Sequence, residues 1–199
     1  MANFLGRDRA KTNKDPSKSA SWFRIWGLGF CKKQKTLCLR ALCVRIKMDW
    51  KEELKEFIDD KTAIMGIGSK LKTDDGVGVF ISEKLKNMGI KNVIVAEATP
   101  EHWLGFLAEK GFEKLLIIDS VLFGGEIGEI KFFDLKEISR RFGLTHSSSL
   151  HLFYDFISTE GSIKELKILA VMPESLEVGE NLTPSVRKSA DEIIRFFCE

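Results

Sequence analysis

Apolar positions recur every three to four residues over 49–60, where Trp50, Leu54, Phe57 and Ile58 fall on one side of a helix. Residues 62–67 form a short apolar run, the pattern of a buried strand. Helical spacing returns over 76–88 with Val77, Phe80, Ile81, Leu85 and Met88, and Gly89 suits the stop. Residues 92–97 read as a strand. Thr99, Pro100 and Glu101 fit the N-cap, N1 and N2 positions of a helix whose Trp103, Leu104 and Leu107 turn inward. Residues 115–119 give a third strand, and residues 128–133 alternate as a half-exposed or edge strand does. Helices are expected over 134–142 and 148–159, the latter with Leu150, Phe153, Tyr154 and Ile157 on one face. A last strand covers 166–172. Thr183-Pro184 then opens a final helix striped by Val186, Ala190, Ile194 and Phe197. Helices alternating with near-continuous apolar strands predict an α/β fold. Its mostly parallel sheet is covered on both faces, and the C-termini of the parallel strands share one rim.

Composition fits a soluble domain, with 44% hydrophobic and 30% charged residues in a chain of 199. Charge changes the picture. Residues 1–47 hold twelve Lys/Arg against two acids, while the rest carries an acidic excess of eight, so the net charge of +2 conceals two unlike parts. The expected organisation is a basic, poorly structured extension over 1–47 and an α/β domain over 48–199. Cys31, Cys38 and Cys43 lack the paired short spacings of a zinc site. Trp22, Phe23 and Trp26 interleave with basic residues, so an arm for nucleic acid or a membrane surface is a competing reading of this segment. The acidic domain argues against nucleic acid as the main partner. No run approaches the ~20 apolar residues of a membrane-spanning helix, and the apolar run at 41–44 is too short for a signal-peptide core. One cysteine, Cys198, in residues 48–199 fits a reducing cytoplasm. A monomer is expected.

The candidate chemistry starts at Gly66–Gly78, a Gly-rich turn between a buried strand and a helix, carrying Asp74 and Asp75. In an open α/β sheet this is the edge where ligands bind. Exposed acids there suggest a cation, a proton-transfer role or a helix cap. Asp119 ends the third strand, and His146 begins the helix after the edge strand, within Thr-His-Ser-Ser-Ser. Two carboxylates and an imidazole on one rim suit a first-row transition metal. Each also has a plainer reading. Asp75 can serve a helix dipole, Asp119 a turn, and His146 can be solvated. His102 and His151 are read as structural. There is no Gly-x-Ser-x-Gly elbow and no His-Glu-x-x-His helix. Leu71 stands where a dinucleotide fingerprint needs its third glycine.

Gly66-Ile67-Gly68 with Asp74-Asp75-Gly76-Val77-Gly78 resembles the opening motif of the [NiFe]-hydrogenase maturation proteases. The resemblance continues through Leu116-Ile117-Ile118-Asp119-Ser120, Gly128-Glu129-Ile130 and Thr145-His146 with Leu150. It closes on Pro173-Glu174-Ser175-Leu176-Glu177 and Leu182-Thr183-Pro184-Ser185-Val186. It covers 61–197 and implies a three-layer α/β/α sandwich. It also implies an aspartyl-type endopeptidase that removes the C-terminal extension of a hydrogenase large-subunit precursor after nickel insertion. Matched motif by motif, the family's metal-contacting residues fall on Asp75, Asp119 and His146, which would recognise the nickel carried by the precursor and assist peptide cleavage. Asp74 matches a neighbouring acid with a local role. Ser69 departs from the family's usual Asn, and Glu97-Ala98-Thr99 from a more Gly-rich loop. Two alternatives remain at this level: a metal-binding chaperone that inspects the precursor without cutting, and a nucleic-acid-associated protein using the basic arm.

Overall fold

The computed structural model describes residues 49–134, 153, 155, 156, 159 and 163–199. The basic segment 1–47, His146, His151, Ser147–Ser149 and most of the two helices expected over 134–142 and 148–159 lie outside the described residues.

The chain opens with α1 (Trp50–Phe57), whose Leu54 and Phe57 are buried as its spacing predicts. β1 (Thr62–Ile67) is buried along its whole length. A single 3-10 turn, Asp74–Gly76, leads into α2 (Val77–Asn87). Next come β2 (Val93–Glu97), a 3-10 turn over Pro100–Trp103, α3 (Leu104–Lys110) and β3 (Lys114–Ser120). β4 (Ile130–Asp134) and β5 (Glu165–Val171) complete the sheet, and α4 (Pro184–Phe196) ends the fold. Among the residues between β4 and β5, Phe153, Asp155, Phe156 and Thr159 are helical.

The sheet runs in the order β2-β1-β3-β5-β4. β1 is parallel to β2 and β3, β3 is parallel to β5, and only β4 is antiparallel. The alternating pattern of 128–133 therefore marks an edge strand, as expected. Strand alternation sends successive side chains to opposite faces. Ile64, Leu116, Ile118, Leu169 and Val171 pack with Val77, Ile81, Leu85 and Val186 in the layer of α1, α2 and α4. Met65, Ile67, Leu115, Ile117 and Ile168 pack with Leu107, Phe112 and Phe153 on the other face. The result is the three-layer α/β/α sandwich.

Some local expectations need correction. Asp134 is the last residue of β4 rather than the start of a helix. Met88 does not join the buried stripe of α2. It follows the helix at its C-cap and is 52% exposed. Thr99 and Thr183 precede their helices but neither hydroxyl caps its own helix. The Thr183 hydroxyl is engaged elsewhere.

Candidate active site at the strand rim

The glycines of the Gly66–Gly78 turn are required by close backbone approach. A Cβ on Gly66 would lie 2.1 Å from the carbonyl oxygen of Gly78. A Cβ on Gly78 would lie 2.1 Å from the Ile118 oxygen and 2.4 Å from the Ile67 oxygen. The first turn of α2 thus sits directly on the C-terminal ends of β1 and β3. Gly68 reverses the chain at φ +135°, and a Cβ there would meet the Asp75 carbonyl oxygen at 1.8 Å. These contacts fix where the two acids go.

Both acids are buried, contrary to the expectation of exposed carboxylates. Asp74 is 0% and Asp75 2% exposed. Burying a charge costs heavily unless it is paired or hydrogen-bonded. Asp74 meets that cost with four hydrogen bonds. Oδ2 accepts from the backbone N–H of Glu174 (2.9 Å) and Ser175 (3.0 Å) and from the Thr183 hydroxyl (3.0 Å). Oδ1 accepts from the Thr183 N–H at 2.7 Å. Its role is therefore not local. It ties the turn to two segments about a hundred residues further along the chain, and sequence reasoning missed this.

Asp75 Oδ2 accepts from the backbone N–H of Ser69 at 3.0 Å. Because the backbone is the donor, the departure to serine at this position leaves the contact intact. Asp119 lies one residue before the end of β3 and is fully buried, and its Oδ1 accepts from the Ser120 N–H at 2.7 Å. Asp119 continues the row of Leu115 and Ile117, while Ser120 continues the row of Leu116 and Ile118, beneath α2. The Ser120 hydroxyl is buried without a hydrogen-bond partner among the described residues. Its type and its place beside Asp119 were the only sequence signals for it. A buried polar atom left this way is a feature that native folds keep rare.

The turn over Asp74–Gly76 is in contact with β3. Gly78, three residues beyond Asp75, lies on the carbonyl of Ile118, the residue before Asp119. Asp75 and Asp119 thus reach one rim, while His146 lies outside the described residues. Among the described residues, no three His, Cys, Asp or Glu side chains gather as a metal cluster. His102 sits exposed in the 3-10 turn before α3. No described helix is long and apolar enough to cross a membrane.

A family model described as hydrogenase maturation protease matches residues 79–199. That span contains Asp119 and begins four residues after Asp75. A Methanocaldococcus jannaschii protein, named provisionally as a hydrogenase maturation protease, is 28% identical over 149 residues, 70% of this chain and 87% of its own. The hydrogenase 3 maturation protease of Escherichia coli is 24% identical over 133 residues, 65% of this chain and 84% of its own. In fold, the chain is similar to the crystal structure of a [NiFe] hydrogenase maturation protease from Thermococcus kodakarensis. The TM-score is 0.59 at 22% identity, covering 73% of this chain and 96% of the other.

Proposed function

This chain belongs to the hydrogenase maturation protease family and is a peptidase, and from that premise we propose that it removes the C-terminal extension of a [NiFe]-hydrogenase large-subunit precursor once nickel has been inserted. The observation that carries the reading is the seating of Gly78 on Ile118, which brings Asp75 and Asp119 to a common rim. Two buried carboxylates on one rim form an environment that a divalent cation stabilises. In this reading Asp75, Asp119 and His146 contact the nickel that the precursor already holds. The remaining coordination positions belong to the substrate, so the ion itself reports that loading is complete. Nickel held by the precursor would supply Lewis-acid polarisation of the nearby peptide carbonyl, and Asp75, Asp119 and His146 would position that peptide for attack by water. The single free cysteine among the described residues, Cys198, fits action in a reducing cytoplasm.

The test is to incubate the protein with candidate precursors before and after nickel loading and to follow the precursor tail by mass spectrometry. Only the loaded form should lose its extension. Equal cleavage of both forms would sink nickel recognition. Binding without any loss of mass would favour a chaperone over a peptidase.

A further inference from the structure

Glu97 ends β2 in a backbone conformation that its residue type disfavours. Its φ is +54°, in the left-handed region where a Cβ crowds the following carbonyl. Among the described residues only Asn92 shares this feature outside glycine, and asparagine tolerates it. Glu97 is held there twice. The N–H of Thr99 donates to Ala96 O at 3.2 Å, closing a four-residue turn whose second residue is Glu97. A positive φ at that place is the habit of glycine, asparagine and aspartate. The ladder is also irregular. Gly66 pairs with Val95 but Ile67 with Glu97, so Ala96 is an extra residue. Such bulges re-aim a side chain.

The bulge delivers Glu97 to the rim of Asp75 and Asp119. β1 is parallel to both β2 and β3, so the C-terminal ends of all three lie together. Glu97 O accepts from the Gly68 N–H at 3.0 Å, and Gly68 lies against the Asp75 carbonyl. Glu97 is exposed, and among the described residues no hydrogen bond or ion pair reaches its carboxylate. Lys70 feels the Glu97 charge, yet its ammonium is bonded to Glu83 at 2.5 Å. That bond, with a smaller contribution from Glu97, holds the ammonium above its ordinary pKa. Glycine would meet the backbone demand without steric cost. A glutamate here keeps a strained backbone for the sake of its side chain.

We propose that Glu97 is a specificity-determining residue, pairing with a Lys or Arg side chain of the precursor close to the scissile bond. This rests on the peptidase reading above. Strands lie about 4.8 Å apart, so β2 and β3, with β1 between them, are about 10 Å apart at the rim, a span of about three residues of extended peptide. A peptide lying across the rim with its scissile bond at Asp119 carries the side chain about three residues away to Glu97. No third acid among the described residues joins Asp75 and Asp119 in a metal cluster, so Glu97 meets the peptide and not the ion. A carboxylate that the protein leaves without a donor pairs best with a cationic one.

The experiment uses the full chain with nickel-loaded precursor as the probe. Glu97→Gln keeps the shape and removes the charge, while Glu97→Gly suits the left-handed backbone and removes the side chain. Both should raise KM and the precursor Kd about fivefold or more with kcat unchanged, and both should bind with a weaker salt dependence than the unsubstituted protein. The Lys and Arg residues within about three positions of the cut are then replaced by Gln one at a time. One replacement should weaken binding to the unsubstituted protein and leave binding to the Glu97→Gln variant unchanged. Unchanged KM and Kd in Glu97→Gln, or a loss confined to Glu97→Gly, would overturn the proposal. So would coupling to none of the replaced residues. A protein that binds precursor but never cuts it overturns the peptidase reading, while Kd and its coupling still decide Glu97.

Discussion

Thr183 gives both its backbone N–H (2.7 Å) and its hydroxyl (3.0 Å) to the carboxylate of Asp74, 109 residues earlier in the chain. The threonine at the start of α4 thus caps another part of the molecule instead of its own helix. Through it, the loop after β5 and the turn after β1 become one unit, and Asp75 inherits its position from that unit. The acid beside the proposed metal contact is what holds the contact in place.

Replacing Asp74 by asparagine should expose this dependence. An amide presents an N–H₂ where the carboxylate accepts, so at least one of the Glu174, Ser175 and Thr183 donors loses its partner while buried. Charge-assisted bonds contribute about 1.5–3 kcal/mol each, and a stranded donor costs a similar amount. A loss of about 3 kcal/mol or more in urea unfolding is expected for Asp74→Asn, against about 1 kcal/mol for Thr183→Val. A change under about 1 kcal/mol for Asp74→Asn would show the tether to be idle.

The glycines of the turn should separate by what surrounds them. A methyl group on Gly78 overlaps two strand carbonyls, and backbone cannot rotate aside as a side chain can. Gly78→Ala should cost more than about 3 kcal/mol or prevent folding. Gly89 has φ +82° with nothing within 4 Å of a Cβ, so Gly89→Ala should cost only the left-handed strain, about 1 kcal/mol. Equal midpoints for the two variants in thermal unfolding would contradict the close approach of α2 to the sheet.

Much of this architecture was legible because burial and period agree. The near-continuous apolar runs of β1, β3 and β5 read as strands covered on both faces, and the alternation over 128–133 read as a half-exposed or edge strand. The positions of Asp75 beyond β1 and of Asp119 near the end of β3 were legible because each comes after an apolar run. Asp74 was misjudged for a physical reason. A carboxylate in a turn offers a local explanation at every step, while its actual donors come from residues 174, 175 and 183, a separation no local pattern encodes. The burial of both acids was missed likewise, since exposure depends on what packs over the turn. His146 lies outside the described residues, so its part in the site stands on the sequence resemblance.

At the opposite end of the sheet, Glu113 is flanked by Lys164, at 2.7 Å, and by Lys61. Hydrogen bonds from these ammonium groups hold its carboxyl down to about 2, against an ordinary 4.5. A depressed carboxylate stabilises the folded state above its unfolded pKa, and that contribution fades as pH falls through the folded value. The contribution should thus be complete above about pH 4.5 and lost progressively toward pH 2. The groups are at the surface, so salt should weaken the effect. Acid unfolding of Glu113→Gln should follow a shallower curve than that of the unsubstituted protein in this window. Superimposable curves would refute the assignment.

Charge at the rim can be separated from structure with near-isosteric variants. Asp75→Asn keeps an oxygen to accept from the Ser69 N–H, and Asp119→Asn keeps one for the Ser120 N–H. What each variant loses is a buried negative charge. Keeping a carboxylate charged while buried carries a cost that neutralisation removes. A carboxylate kept for folding should behave in the opposite way, as is expected of Asp74 with its four donors. Cleavage of nickel-loaded precursor should fall about 100-fold or more in each variant, with a thermal midpoint at or above that of the unsubstituted protein. Activity and stability moving in opposite directions is the signature of a residue held at a cost for its chemistry. If Asp75→Asn cleaves at an undiminished rate, Asp75 has no part in recognising the metal. If Asp75→Asn instead unfolds, its carboxylate belongs to the scaffold together with Asp74.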